Sequence, residues 1–337
     1  MLIAIYLISG LACLYYGAEW LVRGSASLAL RLKISPLVIG LTVVAFGTSM
    51  PEMFVSVESG FNGMGDVSVG NVVGSNIFNI ALILGLSALI SPLTVQLRLL
   101  RFDVPFMILC SIVFGLIVYF GGHVNRIEGI LMFSGIIIYT WTLIRMSRKE
   151  HLDVSNMLPE SITREKGTTF DEHNVPDYRD TLGGSNPKGN GFLFDIIFII
   201  SGLATLVVGS MLFLKGAVAA GRLIGISEAV IGLTIVAAGT SLPELATSVV
   251  AAYKKHSDIS IGNIVGSNIF NILAIMGLTG IICPIDCPQI SATDIGYMIG
   301  TAVLLLPFMK TGRIISRKEG VFLLLVYISY LWLLWPK

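Results

Sequence analysis

Two short stretches set a charge and helix-breaking residues inside apolar runs: AFGTSMPEMF at 45–54 and AAGTSLPELA at 237–246. Each holds a glycine, two hydroxyls, a proline and one glutamate. A carboxylate deep in a bilayer costs about 3 kcal/mol on insertion scales, so Glu52 and Glu244 are functional candidates at once. Just downstream, GNVVGSNIFN (70–79) and GNIVGSNIFN (262–271) add Ser75, Asn79, Ser267 and Asn271. Thr48 and Ser49 lie four and three residues before Glu52, on adjoining parts of one helical face, and Thr240 and Ser241 stand likewise to Glu244. Ser75 and Asn79 are one turn apart, as are Ser267 and Asn271. Pro51 cannot donate to the carbonyl of Gly47, nor Pro243 to that of Gly239. Each proline is therefore expected to kink its helix and free backbone oxygens beside the carboxylate.

Every candidate ligand in this set is an oxygen, which suits hard cations such as Ca²⁺ and Na⁺ and not metals that seek thiolate or imidazole. The four histidines (His123, His151, His173, His256) fall in or beside predicted loops, so no imidazole is at hand for Zn²⁺ or for a Ser–His pair. An enzyme is not expected, and no cofactor is implied. Simpler readings exist for single residues. A lone Ser or Thr in a membrane helix often bonds back to its own turn. GNVVGSN resembles a phosphate loop but lacks the lysine and sits in a span. A buried glutamate can also act as a protonated structural donor. Two glutamates, each beside a proline and each duplicated, fit a structural role poorly.

The elements that must hold these residues are membrane helices. Of 337 residues, 54% are hydrophobic and only 13% charged, too few charges to cover a soluble protein of this length. The net charge of +1 and the absence of a basic, aromatic-laced patch give no sign of nucleic-acid binding. The bilayer is the one macroscopic partner implied, and no obligate protein partner is evident. Apolar runs predict an all-α membrane protein of ten transmembrane helices, near 2–22, 35–60, 68–94, 103–121, 127–145, 193–219, 226–252, 258–282, 293–309 and 320–335. The first run is too long, and its positive residues come too late, for a cleaved signal peptide. Lysines and arginines cluster so as to place both termini outside a cell membrane. Residues 146–192, rich in Asp, Glu, Ser, Asn, Pro and Gly, read as a solvated cytoplasmic linker without a fold of its own. Cys13 and Cys110 lie in apolar runs as packing residues; Cys283 and Cys287, in CPIDC, are most simply loop contacts, with a local disulfide or weak metal site as alternatives.

The halves flanking the linker are copies. A shift of 192 residues superimposes 34–80 on 226–272 with 28 of 47 positions identical. An odd number of spans separates equivalent residues, so the copies cross in opposite senses, as inverted repeats do in transporters that alternate access around a midplane site. The expected organisation is a first five-helix repeat at 1–145 with its motif at 40–80, the linker, and a second repeat at 193–337 with its motif at 232–272. Gly70, Gly74, Gly262 and Gly266 are expected to let the motif helices approach closely.

GTSMPE with GNVVGSNIFN, and GTSLPE with GNIVGSNIFN, resemble the α-1 and α-2 repeats of sodium/calcium exchangers, in the calcium/cation antiporter superfamily. The likeness extends over the ten-helix plan. It implies antiport of Na⁺ for Ca²⁺, with the second, third, seventh and eighth spans forming the site and the first and sixth sliding across it. By resemblance, Glu52, Glu244 and the carbonyls of Thr48 and Thr240 would hold Ca²⁺. Ser49, Ser75, Ser241, Ser267 and the carbonyls of Ala45 and Ala237 would complete Na⁺ sites, and Asn79 and Asn271 would line the centre. Some members carry Asp where this chain has Asn271, which argues against K⁺ co-transport. The proton-driven branch shows GNAxE-type motifs where this chain has GTSxPE, so Na⁺ is the expected counter-ion and H⁺ the alternative. A cation channel and a membrane protein with a structural Ca²⁺ remain as further readings.

Overall fold

The computed structural model describes residues 2–32, 34–157, 191–223 and 237–334, with backbone alone for 148–157 and 237. Most of the predicted linker, and residues 226–236 of the predicted seventh span, lie outside the described residues. The described chain is almost entirely helical: α1 (Leu2–Leu32), α2 (Pro36–Thr48), α3 (Met50–Phe61), α4 (Gly65–Ile90), α5 (Leu99–Gly121), α6 (Arg126–Met157), α7 (Gly191–Leu223), α8 (Ala237–Thr240), α9 (Leu242–Tyr253), α10 (Ser257–Ile282), α11 (Ala292–Lys310) and α12 (Arg317–Leu334). Among the described residues seven helices are long and apolar enough to cross a membrane, and the bent pair α2–α3 makes an eighth. Large apolar side chains such as Leu11, Phe54, Phe120, Trp141, Ile200 and Leu325 point outward and exposed. Hydrocarbon accounts for such a surface and water does not. This is a multi-pass membrane protein.

Several boundaries move from their sequence-based places. α1 runs on to Leu32 and α7 to Leu223, where the sequence reading ended them near 22 and 219. Their added turns carry no proline, and an ion pair from Arg31 holds that of α1 to the start of α7; a second pair ties the body of α1 to the end of α9. Arg31 Nε meets Asp195 Oδ2 at 2.5 Å, and Lys254 Nζ meets Glu19 Oε1 at 2.5 Å. α6 continues to Met157 into the stretch read as linker, because residues 146–157 contain neither Gly nor Pro to stop it.

The layering follows from burial. The apolar window of α10 is 89% buried and that of α4 72%, whereas those of α1 and α7 are 22% and 28% buried. α4 and α10 therefore form the centre, with α1 and α7 lying against it as a peripheral pair. A glycine seam joins that pair: Gly10, Gly17 and Gly24 on α1 face Phe213, Gly202 and Asp195 on α7, and Gly202, Gly209 and Gly216 face back. A Cβ on Gly17 would lie 2.9 Å from the Gly202 carbonyl oxygen, and one on Gly202 would lie 2.7 Å from the Leu21 nitrogen. Without side chains in the seam, backbone packs on backbone.

Two short antiparallel strand pairs close the ends of the bundle. β1 (Leu93–Thr94) pairs with β4 (Ile314–Ile315), and β2 (His123–Val124) with β3 (Ile285–Asp286). A shift of 192 residues carries β1 onto β3, and one of 191 carries β2 onto β4, so each pair takes one strand from each half of the chain. A tyrosine–aspartate hydrogen bond recurs in the same way, buried in the first half and part-buried in the second. Tyr139 Oη donates to Asp103 Oδ1 at 3.0 Å between α6 and α5, and Tyr330 Oη donates to Asp294 Oδ1 at 3.0 Å between α12 and α11.

Candidate cation site

Both prolines act where the sequence places them. The axis bends by 47° between α2 and α3, and Pro51 stands in the first turn of α3 as Pro243 does in that of α9. At each break one serine leaves the helical ψ range: Ser49 has φ −82°, ψ 7° and Ser241 has φ −87°, ψ 10°. The break aims each serine away from its own glutamate. Ser49 Oγ donates to Glu244 Oε1 at 2.9 Å, and Ser241 Oγ donates to Glu52 Oε1 at 2.7 Å. The sequence reading set each serine beside the glutamate three residues on; the structure gives it the glutamate of the other half. Ser241 Oγ also approaches Ser75 Oγ at 3.3 Å.

Both carboxylates are buried, each 1% exposed. Their second oxygens, Glu52 Oε2 and Glu244 Oε2, have no hydrogen-bond partner among the described residues. Ser267 Oγ, Asn79 Oδ1 and Asn271 Oδ1 are buried and bare in the same way. A bare buried oxygen is costly and rare. Five of them, all able to accept and two of them carboxylate, are of the kind that a hard cation takes as ligands. Among the described residues no three His, Cys, Asp or Glu gather, so neutral oxygens must supply the rest of any coordination shell.

A second layer fixes the glutamate backbones. Asn71 Nδ2 donates to the Glu52 carbonyl at 3.2 Å and to Ser56 Oγ at 2.9 Å; Asn263 Nδ2 donates to the Glu244 carbonyl at 3.4 Å and to Ser248 Oγ at 2.9 Å. Ser68 Oγ donates to the Ser56 carbonyl, and Ser260 Oγ to the Ser248 carbonyl, each at 2.9 Å. These residues lie in the repeated stretches, yet the sequence reading did not single them out. Their signal was there: an asparagine following the first glycine of each GNxVGSN, 192 residues apart.

The remaining candidates are placed as follows. Thr48 is fully buried, and its hydroxyl donates among the Val44 and Ala45 carbonyls and Asn263 Oδ1, at 3.1 to 3.3 Å. The Ala45 carbonyl also accepts from the Ser49 nitrogen at 3.1 Å. Thr240 is half-buried at the end of α8, and Ala237 opens that helix with its side chain outside the described residues. One freed carbonyl has a taker. Ser210 Oγ of α7 donates to the Gly239 carbonyl at 2.6 Å, so this oxygen, expected to face the site, is bonded to the peripheral pair instead. The equivalent residue of α1 is Ala18, which has no hydroxyl. Asn79 and Asn271 lie in π-helical stretches, Phe78–Leu84 and Asn271–Ile275, whose wider turn often marks functional positions. Gly262 and Gly266 do admit a close approach, but to the other half and not to their own motif partner: Cβ atoms there would lie 2.9 Å from the Leu37 carbonyl oxygen and 2.7 Å from the Leu41 carbonyl oxygen of α2, whereas among the described residues a Cβ on Gly70 would meet only Ile290 at 3.9 Å and one on Gly74 nothing within 4 Å. The segment equivalent to α2 in the second half falls mostly outside the described residues. All four cysteines are free thiols, so Cys283 and Cys287 form no local disulfide.

Known proteins resemble this arrangement along its whole length. The profile of the family described as sodium/calcium exchanger protein matches residues 2–145 and 194–335. The putative antiporter CaxA of Alkalimonas amylolytica is 36% identical over the full length of both chains. The sodium/calcium exchanger MaX1 of Methanosarcina acetivorans is 32% identical over 96% of each. Among solved structures, the sodium-calcium exchanger NCX_Mj soaked with zero Na⁺ and Ca²⁺ superimposes with a TM-score of 0.80 at 30% identity, covering 99% of both chains. On sequence and structure together, the chain belongs to the sodium/calcium exchanger family.

Proposed function

We propose that the chain is a secondary antiporter exchanging Na⁺ for Ca²⁺ by alternating access at one shared oxygen site. The observation that carries this reading is the crossed pair of glutamates, each holding one oxygen to a serine of the other half and leaving the other oxygen bare. The ligands are Glu52 and Glu244, the hydroxyls of Ser49, Ser75, Ser241 and Ser267, the amides of Asn79 and Asn271, and the carbonyls of Ala45, Thr48, Ala237 and Thr240. Pro51 and Pro243 break the helices that supply them.

Charge sets the coupling. Two ionised glutamates give the empty site −2; one Ca²⁺ brings it to neutral, and three Na⁺, the ratio the resemblance implies, bring it to +1. Both ion sets need Glu52 and Glu244, so they exclude each other. A site left at −2 in a low-dielectric interior is hindered from switching sides, and that ties one flux to the other. The organisation we assign is ten transmembrane helices in two inverted five-helix repeats, 1–145 and 193–337, around the cytoplasmic linker 146–192, with both termini outside the cell membrane. The exchanged strand pairs, the recurring Asp–Tyr hydrogen bond and the crossed serines all support the repeat.

The test is uptake of labelled Ca²⁺ into Na⁺-loaded proteoliposomes, with and without a pH gradient. Uptake should require internal Na⁺ and ignore the pH gradient. Uptake that follows the pH gradient and ignores Na⁺ would replace the counter-ion by H⁺. Downhill Ca²⁺ entry with no counter-ion would make the protein a channel.

A further inference from the structure

Asn79 and Asn271 bring an amide to the site, and an amide presents an oxygen or an NH₂ depending on which way it is turned. Only the oxygen can hold a cation. A chain of hydrogen bonds decides the matter on the side of Asn271. Asn76, 2% exposed, lies with its Nδ2 3.4 Å from the Asn268 backbone carbonyl. A carbonyl only accepts, so the NH₂ of Asn76 belongs there and its Oδ1 faces the other way. That Oδ1 receives Asn271 Nδ2 at 2.9 Å, which leaves Asn271 Oδ1 turned elsewhere, buried and without a partner. The arrangement recurs across the two halves. Asn79 Nδ2 donates to Asn268 Oδ1 at 3.3 Å, and Asn79 Oδ1 is likewise buried and bare.

The two anchors are not equal. Asn268 Nδ2 has the Met107 sulfur at 3.6 Å where Asn76 Nδ2 has a carbonyl, and a thioether is a weak acceptor. The bond onward is also longer, 3.3 Å against 2.9 Å. Asn271 is therefore held more firmly than Asn79.

We propose that Asn76 and Asn268 are positioning residues: by accepting the NH₂ of Asn271 and Asn79 they turn both amide oxygens toward the transported cation. The proposal rests on the exchange site described under the proposed function. Neither residue touches the ion. Each acts through the asparagine of the opposite half, and Asn76 acts more strongly.

A double-mutant cycle tests this, using Asn76→Leu, Asn271→Ala and the double variant in proteoliposomes, with half-saturating Na⁺ and Ca²⁺ measured for each. Leucine keeps the branched outline of Asn76, with bulkier tips, and removes its acceptor, so Asn271 loses its preferred orientation. The expected result is a rise of about tenfold in the half-saturating concentration for Asn76→Leu, the size of one lost charge-assisted contact. Asn271→Ala should cause a similar rise, and the double variant should be no worse than Asn271→Ala alone. Additive losses would mean that Asn76 acts independently of Asn271, overturning the proposal while leaving the site intact. So would an unchanged Asn76→Leu beside an impaired Asn271→Ala. If Asn271→Ala itself leaves both half-saturating concentrations unchanged, the site assignment falls, and the proposal with it. Should Asn76→Leu fail to fold, the mirrored cycle of Asn268→Leu with Asn79→Ala applies the same criteria, with a smaller expected rise.

Discussion

Replacing Glu244 by Gln changes little volume and one charge. The crossed hydrogen bond survives, because the amide oxygen still accepts from Ser49 Oγ, now 2.9 Å from Glu244 Oε1. The bare oxygen becomes an NH₂, which puts a donor where a cation needs an acceptor. The loss can be sized. At an effective dielectric of about 20 and an ion–oxygen distance of about 2.4 Å, one carboxylate attracts Ca²⁺ by about 14 kcal/mol and Na⁺ by about 7 kcal/mol. Lost hydration offsets most of this. If about one-fifth survives, roughly 3 kcal/mol remains for Ca²⁺ and about 1.4 kcal/mol for Na⁺, or about 100-fold and about tenfold in affinity. Glu244→Gln, and equally Glu52→Gln, should therefore abolish Ca²⁺ flux at ordinary concentrations and raise the Na⁺ requirement less. Thermal unfolding in detergent gives a readout free of transport. Ca²⁺ should raise the melting temperature of the parent protein, and that shift should vanish in either variant, because a ligand stabilises only what it binds. Parental Ca²⁺ flux together with a parental Ca²⁺-induced shift, at equal expression, would refute the assignment of these carboxylates.

Removing a serine should be milder: Ser241→Ala and Ser49→Ala each delete one hydrogen bond to a carboxylate and no charge, and half-saturating Na⁺ should rise by about fivefold, less than in the glutamine variants. Ser241→Ala should show the larger effect in Na⁺ titrations of Ca²⁺ flux, since its bond is shorter and it also adjoins Ser75. Gly17→Leu or Gly202→Leu would force apart α1 and α7 at a backbone contact below 3 Å, so unfolding should begin at lower temperature, by the 1 to 3 kcal/mol or so typical of overpacking. Cysteines placed at Asn62 and Lys255 should react with an impermeant label from opposite sides of the membrane, the first outside and the second inside; labelling from one side only would contradict the inverted repeat.

The sequence made the kinked glutamates and the repeat legible because both are local. A proline four residues after a glycine, and a motif that recurs at a fixed shift, need no knowledge of the rest of the chain. What it hid is the wiring between the copies. Helical spacing puts Ser49 beside Glu52, yet the break at Ser49 redirects the hydroxyl to Glu244, a partner 195 residues away. Asn76 and Asn268 stood inside the quoted repeats without drawing notice. Their role appears only when each meets the asparagine of the other half. The same holds for Ser210, whose hydroxyl takes a carbonyl that the proline frees on a different helix. Helix ends were missed for a plainer reason. Apolar runs report where the hydrocarbon stops, while α1, α6 and α7 continue past it.

The crossed wiring limits how access can alternate. Ser49–Glu244, Ser241–Glu52, Asn271–Asn76 and Asn79–Asn268 tie the two halves of the site into one block. Pulling the halves apart would break all four bonds at once. Two of them end on carboxylates, at about 1.5 to 3 kcal/mol each, and the rupture would strand buried polar groups besides. A movement confined to the peripheral pair would leave all four intact. The apolar windows of α1 and α7 are only 22% and 28% buried, and the glycine seam packs the two helices closely on each other. To slide, that pair must release the Ser210 hydroxyl from Gly239 and Glu19 from Lys254, two contacts on the second half of the chain. The positions equivalent by the 192-residue shift, Ala18 for Ser210 and Met211 with Asn62 for Glu19 with Lys254, carry neither a matching hydroxyl nor a pair of opposite charges. Among the described residues the side-chain bonds that tie this pair to the rest are thus unequal between the halves, although the site beside them is nearly symmetric.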